Sequence, residues 1–136
     1  DQQKKLSDDI KELTNGQGAD VVYDPVGGDY AEPALRATAW EGRYLVVGFA
    51  AGDIPKIPLN LALLKGCQIV GVFWGAFKGR EVEAHNANVD ELLKLYGDGH
   101  LKPHISSIYS LEEGSKAISD LAERKARGKV IVQVRA

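Results

Sequence analysis

Short runs of apolar and β-branched residues alternate with segments of helical periodicity along this chain. Three of the runs, at 19–26, 44–49 and 67–74, contain or directly precede a glycine, as strands that enter tight turns often do. Such alternation is typical of parallel strands joined by right-handed helical crossovers. The sequence therefore predicts an α/β fold built on a doubly wound parallel sheet.

Helices are predicted between and after these strands from capping residues, apolar periodicity and glycine stops. A first helix is predicted before the first strand and ends near Gly16. Three more follow it along the chain: one over 30–40 that Gly42 stops, a short one over 59–64, and one whose apolar face runs from 82 to 96. Residues 101–136 then predict a strand, a helix closed by Gly128 and a last strand over 129–134. The predicted caps are Ser7 for the first helix, with Asp8 and Asp9 in its first turn and Gly16 at its end, Asp29 with Glu32 for the second, and Ser110 with Glu113 for the last.

Composition excludes several classes of protein. The 136 residues carry a formal net charge of −2, which does not favour binding to nucleic acid or to an anionic membrane. No apolar run is long enough to span a bilayer. The one cysteine, Cys67, cannot form an internal disulfide, so a reducing, cytoplasmic location is expected. The absence of methionine suggests a start inside a longer gene product, although a processed chain would look the same.

An ordered set of motifs covers nearly the whole chain. These are GADVVYDPVGG at 18–28, GRYLVVGFA at 42–50, the proline-containing segment at 54–65, VGVFWG at 70–75 and AERKARGKV at 122–130. Together they resemble the coenzyme domain of the medium-chain dehydrogenase/reductase superfamily. The resemblance is strongest to its zinc-independent NADPH:quinone oxidoreductase branch.

The resemblance implies a fold, a cofactor and a reaction. Residues 1–100 would be the C-terminal part of a Rossmann coenzyme domain, with its fourth to sixth strands, and residues 101–136 would return toward a catalytic domain. The glycine-rich phosphate loop of this family follows the first strand and would lie upstream. The implied reaction is hydride transfer from NADPH to a quinone or an α,β-unsaturated carbonyl, and this fragment alone is expected to be inactive. The choice of NADPH over NADH rests on the branch.

Candidate coenzyme contacts follow from the rule that ligands bind beyond the carboxyl ends of parallel strands. Glycine there is also common turn chemistry, and for Gly27 and Gly28 both interpretations stay open. The resemblance assigns the loops after the second and third strands to the nicotinamide. The segment before the last strand is either a helix C-cap or a further coenzyme contact. The candidates are Gly27, Gly48, Phe49, Ala50, Phe73, Trp74, Gly75, Gly128 and Lys129.

Other chemistry finds little support in the sequence. Zinc needs grouped ligands, and Cys67 has no cysteine or histidine near it in sequence, so no metal is expected. No nucleophile and base motif is present, and no catalytic residue is assigned. This suits hydride transfer, in which the cofactor carries the chemistry. Asp24, which precedes Pro25, is interpreted as a structural turn residue that could orient a loop.

The sequence also predicts a second copy of the chain as a partner, and two alternative functions are considered. The long apolar run from Cys67 to Trp74 predicts a homodimer through this strand, because a free apolar edge favours aggregation, and related enzymes pair the equivalent strand across a two-fold axis. A non-catalytic nucleotide-binding or dimerisation module is the alternative function. A phosphoacceptor receiver domain would need a cluster of acidic residues at strand ends, which Asp24 alone does not provide.

Overall fold

The computed structural model describes residues 2–135, with side chains from Lys5 onward. The chain forms two compact units that divide between Arg80 and Glu81. In the first unit the elements are α1 (Gln2–Leu13), β1 (Ala19–Asp24), a 3-10 turn (Gly28–Tyr30), α2 (Ala31–Arg36), β2 (Thr38–Val46), α3 (Asn60–Lys65), β3 (Gln68–Gly71) and α4 (Trp74–Arg80). In the second they are α5 (Val82–Gly97), β4 (Ile105–Ser110), α6 (Gly114–Ala122) and β5 (Lys129–Gln133).

The first unit is built on a parallel sheet in the order β1-β2-β3. Asp24 is in register with Val46, and Val46 with Gly71, so the three strands end in one row at the same edge. Helices and parallel strands alternate along the chain, and this confirms the predicted α/β class. The carboxyl ends of the strands therefore bring the following loops together, as a Rossmann-type sheet requires.

A small core holds the helices against this sheet. Leu35 and Ala31 of α2 are fully buried and pack with Tyr44 of β2 and Leu61 of α3. Leu6 of α1 packs against the same cluster. The apolar side chains of three helices thus meet one strand from the middle of the sheet, and their burial stabilises the unit.

The first helix begins earlier than its sequence predicted. Ser7 lies inside α1 and is buried, so it does not cap the helix, and the predicted first turn with Asp8 and Asp9 is wrong. The end near Gly16 is confirmed. Asn15 takes the left-handed conformation with φ 50°, and the N–H of Gly16 donates to the carbonyl of Lys11 at 2.7 Å, which is the six-to-one bond of a Schellman motif.

The second helix is shorter than predicted, because α2 ends at Arg36 and Gly42 lies inside β2. Gly42 therefore does not stop a helix. A β-carbon on Gly42 would lie 2.8 Å from Cγ2 of Thr38 and 3.1 Å from the carbonyl oxygen of Ala19. The pairing of β1 with β2 shifts register at this point, so glycine lets the two strands approach at an irregular step. The predicted cap is also absent, since the Glu32 carboxylate pairs with Arg36 instead.

The third strand ends at Gly71, several residues before its predicted end. The N–H of Val72 still donates to the carbonyl of Val46 at 2.9 Å, but the chain then turns into α4. The carbonyl of Phe73 accepts the N–H of Phe77 at 3.0 Å, which is a helical bond. Trp74 and Gly75 are therefore the first residues of a helix and do not form the predicted strand end and turn.

The second unit contains the predicted strand, helix and strand. Helix α5 runs from Val82 to Gly97 and so contains the apolar face predicted from 82 to 96, and β4 pairs in parallel with β5. Gly128 does not close α6, which ends at Ala122, and the left-handed conformation after this helix falls on Arg124 with φ 57°. The division of the whole protein into a coenzyme domain up to residue 100 and a returning segment stays a prediction. None of the helices described in either unit is long and apolar enough to cross a membrane.

Candidate functional site

Three loops follow the strands at the carboxyl edge of the first unit's sheet. We call them the first loop (25–28), the second loop (47–51) and the third loop (72–75), whose last two residues begin α4. Because Asp24, Val46 and Gly71 are in register, the loops leave the sheet side by side. The sequence placed the candidate coenzyme contacts of this unit in these three loops, and the register brings their strand ends together at one edge.

Backbone hydrogen bonds join the first loop to the second. The N–H of Ala50 donates to the carbonyl of Pro25 at 3.1 Å, and the N–H of Ala51 donates to the carbonyl of Val26 at 2.9 Å. The N–H of Gly28 reaches further along, to the carbonyl of Asp53 at 3.2 Å. Such paired backbone groups hold the two loops as one layer.

Glycine allows this close approach at two positions. Gly27 has φ 66° and ψ −142°, a region that residues with a side chain rarely adopt, and a β-carbon there would lie 2.8 Å from Cδ1 of Phe49. A β-carbon on Gly48 would lie 3.2 Å from the carbonyl oxygen of Pro25. Both glycines thus have a structural role in packing the loops, and their contact with a coenzyme stays a prediction.

Asp24 is bonded to both loops. One oxygen of its buried carboxylate accepts the N–H groups of Val26 and Gly27, each at 2.8 Å, and the other accepts the hydroxyl of Tyr44. Its backbone carbonyl accepts the N–H groups of Val47 at 3.0 Å and Gly48 at 3.3 Å. The structural turn predicted at Asp24 is confirmed, but the role of Tyr44 was missed. No local pattern in the sequence marks this role, because Asp24 and Tyr44 are twenty positions apart.

This arrangement shifts the acidity of both side chains. Burial by itself raises the pKa of the Asp24 carboxyl, but the hydrogen bonds from Tyr44 and from the N–H groups of Gly27 and Val26 outweigh burial, and the net pKa is lowered. Burial, the bond to Asp24 and the negative charge of Asp24 all raise the pKa of Tyr44. At neutral pH, Asp24 is therefore an anion and Tyr44 a neutral donor.

The second loop keeps some polar groups free for a ligand. The N–H of Ala50 is used by Pro25, whereas within residues 2–135 the N–H of Phe49 and the carbonyl of Gly48 make no hydrogen bond. The Phe49 ring is 40% exposed. One donor, one acceptor and an apolar ring thus lie beside one another in the chain, a combination suited to a flat ring that carries an amide.

The third loop adds exposed aromatic surface. The Phe73 side chain is 79% exposed and that of Trp74 is 58% exposed. The ammonium of Lys78 lies 4.7 Å from the centroid of the Trp74 ring, a cation–π contact between neighbouring turns of α4. A β-carbon on Gly75 would lie 3.2 Å from the Phe73 ring. Coenzyme binding by these three residues stays a prediction.

The remaining candidates lie in the second unit and have structural contacts there. The N–H of Lys129 donates to the carbonyl of His104 at 2.8 Å, and the N–H of Arg127 donates to the hydroxyl of Ser106 at 2.9 Å. A side chain on Gly128 would collide with the backbone of His104. These bonds align β5 with β4, so Gly128 serves close strand approach. Coenzyme contacts of Gly128 and Lys129 stay predictions.

A cleft of about 740 Å³ lies in the first unit between α1, α2 and the segment 53–57. It shares Gly28 and Asp53 with the first loop's hydrogen bonds, but it does not include Gly48, Phe49 or Phe73. Its walls carry both acidic and basic side chains, among them the paired Glu32 and Arg36. We place the candidate site at the loops and not in this cleft, because the unpaired backbone groups and the row of strand ends meet at the loops.

The residues that the structure describes do not assemble a ligand set for a metal ion. No three histidine, cysteine, aspartate or glutamate side chains come together there to hold a metal ion. Cys67 is a free, half-buried thiol just before β3. The donor groups zinc requires are therefore not assembled by the described residues.

Comparison with known proteins agrees with this geometry. The family described as zinc-binding dehydrogenase matches residues 2–132. A quinone oxidoreductase-like protein 2 homolog of Nematostella vectensis is 38% identical over 133 residues, which are 97% of this chain and 36% of that protein. Quinone oxidoreductase-like protein 2 of Bos taurus is 36% identical over 130 residues, 96% of this chain and 37% of that protein.

A solved structure shares the fold. A mycobacterial protein complexed with NADPH superposes with a TM-score of 0.82 and 23% identity, over 97% of this chain and 41% of that one. In each of these comparisons the chain spans well under half the length of the protein it matches.

Proposed function

Because this chain belongs to the zinc-binding dehydrogenase family, within the medium-chain dehydrogenase/reductase superfamily, we propose that it is the C-terminal part of an NADPH-dependent oxidoreductase. The enzyme transfers hydride to a quinone or to an α,β-unsaturated carbonyl. The observation that carries the proposal is the joined layer of the first and second loops at the carboxyl edge of a parallel sheet, which is where such sheets bind dinucleotides.

The free groups of the second loop fit the nicotinamide end of the coenzyme. A carboxamide has a donor and an acceptor, and the N–H of Phe49 and the carbonyl of Gly48 supply their complements. Phe49, Phe73 and Trp74 add exposed aromatic surface that would exclude water around the ring. NADPH supplies the hydride when bound. Its preference over NADH rests on the likeness to the quinone oxidoreductase branch, since the residues that read the adenosine phosphate in that branch lie upstream of this segment.

Zinc does not fit the residues described, although the family's description includes it. The described side chains assemble no group of three ligands. That the whole enzyme works without zinc is proposed from the likeness to the quinone oxidoreductase branch, which is zinc-independent. A quinone acceptor agrees with this, because it takes up hydride without a metal that polarises an alcohol, and the names of the relatives favour the same substrate class.

We also propose that the enzyme is a cytoplasmic homodimer. Strand β3 is an edge of the described three-stranded sheet, and Ile69 on it is 40% exposed. Pairing with β3 of a second copy would satisfy the backbone groups of this edge and cover its apolar side chains. The free thiol of Cys67 suits a reducing compartment.

The test is NADPH oxidation by the full-length protein with a benzoquinone or with a simple enone as acceptor. The proposal predicts acceptor-dependent loss of the NADPH absorbance with at least one of them, and slower turnover with NADH. Full-length protein that folds but oxidises neither coenzyme with either acceptor would refute the proposed reaction.

A further inference from the structure

We propose that Asp24 and Tyr44 form a positioning pair that fixes the first loop against the second and so sets the place of the nicotinamide ring. The inference rests on the proposed function, because it assigns the pair to the carboxyl edge of the first unit's sheet, where the coenzyme is proposed to bind. We call this the coenzyme edge. The two ends of NADPH are expected to respond differently to the pair. Binding of the nicotinamide end depends on the pair, whereas binding of the adenosine end does not.

The first step is that Asp24 is bonded to both loops, to the first through its carboxylate and to the second through its backbone carbonyl. Its carboxylate accepts from Val26 and Gly27 of the first loop, at 2.8 Å each, and its backbone carbonyl accepts from Gly48 of the second loop at 3.3 Å. A carboxylate that accepts two backbone N–H groups fixes the turn more firmly than a neutral side chain would. The position of the first loop is thus determined by where this carboxylate is held.

The second step is that Tyr44 holds the carboxylate from the core. Its side chain is 3% exposed and packs with Leu35 and Leu61, and its hydroxyl donates to the second oxygen of Asp24. Tyr44 pairs in register with Val22, two residues before Asp24, so its side chain reaches from the interior of the sheet to the row of strand ends. The pair therefore connects the buried core of the unit with the row of strand ends where the coenzyme is proposed to bind.

The third step concerns what happens when the hydroxyl is removed. In Tyr44→Phe the ring keeps its packing, but one oxygen of a buried carboxylate loses its donor. A buried charged group without a partner is unfavourable. The free energy of the carboxylate is therefore lower when it moves toward solvent. The N–H groups of Val26 and Gly27 move with it, and Gly27 lies so near Phe49 that a β-carbon on it would be 2.8 Å from Cδ1 of that ring. The change thus displaces the loops at the nicotinamide without touching the coenzyme.

The experiment measures two dissociation constants by calorimetry on the full-length protein. The ligands are NADPH and 2′-phospho-ADP-ribose, which lacks only the nicotinamide. For Tyr44→Phe we expect NADPH binding to weaken about tenfold, as for the loss of one hydrogen bond to a charged group. Binding of 2′-phospho-ADP-ribose should not change. A purely structural role would weaken both ligands together.

Two further variants sharpen the result. Tyr23→Phe is the matched control, because Tyr23 lies on β1 with its side chain 64% exposed, and it should bind both ligands as the wild type does. Asp24→Asn keeps one acceptor for the loop, so its NADPH affinity should lie between those of wild type and Asp24→Ala. If Asp24→Ala does not fold, Tyr44→Phe and Asp24→Asn decide.

The inference and the proposed function fail in different ways. If the wild type binds NADPH and Tyr44→Phe binds both ligands normally, or loses both equally, the positioning pair is refuted. If the wild type binds no NADPH, the proposed function is refuted, and amide hydrogen exchange at Val26 and Gly27 then tests the pair alone. Faster exchange in Tyr44→Phe than in Tyr23→Phe supports the pair, and equal exchange refutes it.

Discussion

A β-carbon on Gly27 would lie 2.8 Å from Cδ1 of Phe49, so the first loop has no room for a larger residue where it meets the second. Gly27→Ala should therefore destabilise the full-length protein, by about 1–3 kcal/mol for backbone strain and further through crowding of Phe49. Urea unfolding measures the change in free energy.

The matched control for that prediction is Gly52→Ala. Gly52 also has a positive φ, of 98°, but a β-carbon there would meet nothing within 4 Å. It should therefore show the strain without the crowding, and Gly27→Ala should be the less stable of the two. Equal losses would mean that contact with Phe49 does not matter.

A second prediction concerns pH. The pKa of Asp24 is lowered in the folded protein from its ordinary 3.8, so its ionised form stabilises the fold above that value, and this stabilisation is lost as the pH falls through the lowered pKa. Tyr44→Phe removes a donor and raises the pKa of Asp24. The free energy that Tyr44→Phe costs should thus be largest near about pH 7 and shrink below about pH 4. Urea unfolding across this range gives the difference.

The control is the same substitution made in an Asp24→Asn background. The amide does not titrate in this range, so the cost of Tyr44→Phe should then be independent of pH. A cost that varies equally in both backgrounds would show that other groups produce the pH dependence.

Much of the fold could be predicted because the β-branched runs and glycine stops are local signals. The parallel sheet, the short helix α3 and the end of α5 follow from them. Gly42 shows where prediction from neighbouring residues in the sequence fails. Glycine serves equally as a helix stop and as a point of close strand approach, and the choice depends on Ala19 and Thr38, which meet Gly42 only in the folded sheet.

The row of strand ends and its glycine loops could also be predicted, from the rule for parallel sheets. That a coenzyme binds at this edge stays a prediction. The bond between Asp24 and Tyr44 joins residues twenty positions apart, and no local pattern marks it. A tyrosine within a run of valine and leucine is first interpreted as a core residue. The secondary structure of the third loop was predicted wrongly. Trp74 and Gly75 look in sequence like the end of a strand and a glycine turn, but they begin α4.

A third prediction tests the dimer. Ile69→Lys places a charge at the β3 edge, which should oppose strand pairing and convert the full-length protein from dimer to monomer in light scattering. Leu13→Lys is the control. Leu13 is 85% exposed at the end of α1 and is not a residue of β3, and its substitution should leave the dimer intact. Monomeric wild-type protein, or dimers in both variants, would contradict pairing through β3.

A fourth prediction concerns zinc. The likeness to the zinc-independent quinone oxidoreductase branch predicts that dialysis of the full-length enzyme against a chelator leaves its NADPH oxidation rate unchanged. Elemental analysis should find far less than one zinc ion per chain. Stoichiometric zinc whose removal abolishes activity would contradict the zinc-independent reaction.

The most direct test compares nucleotide binding by this 136-residue chain and by the protein extended upstream by about 150 residues, roughly one domain. Calorimetric titration with NADPH and NADH should show binding by the longer protein alone, with NADPH preferred, because the resemblance to the quinone oxidoreductase branch places the phosphate loop upstream of this segment. Tight binding by the short chain would place the phosphate site within it, and a non-catalytic nucleotide-binding module would then be the better account.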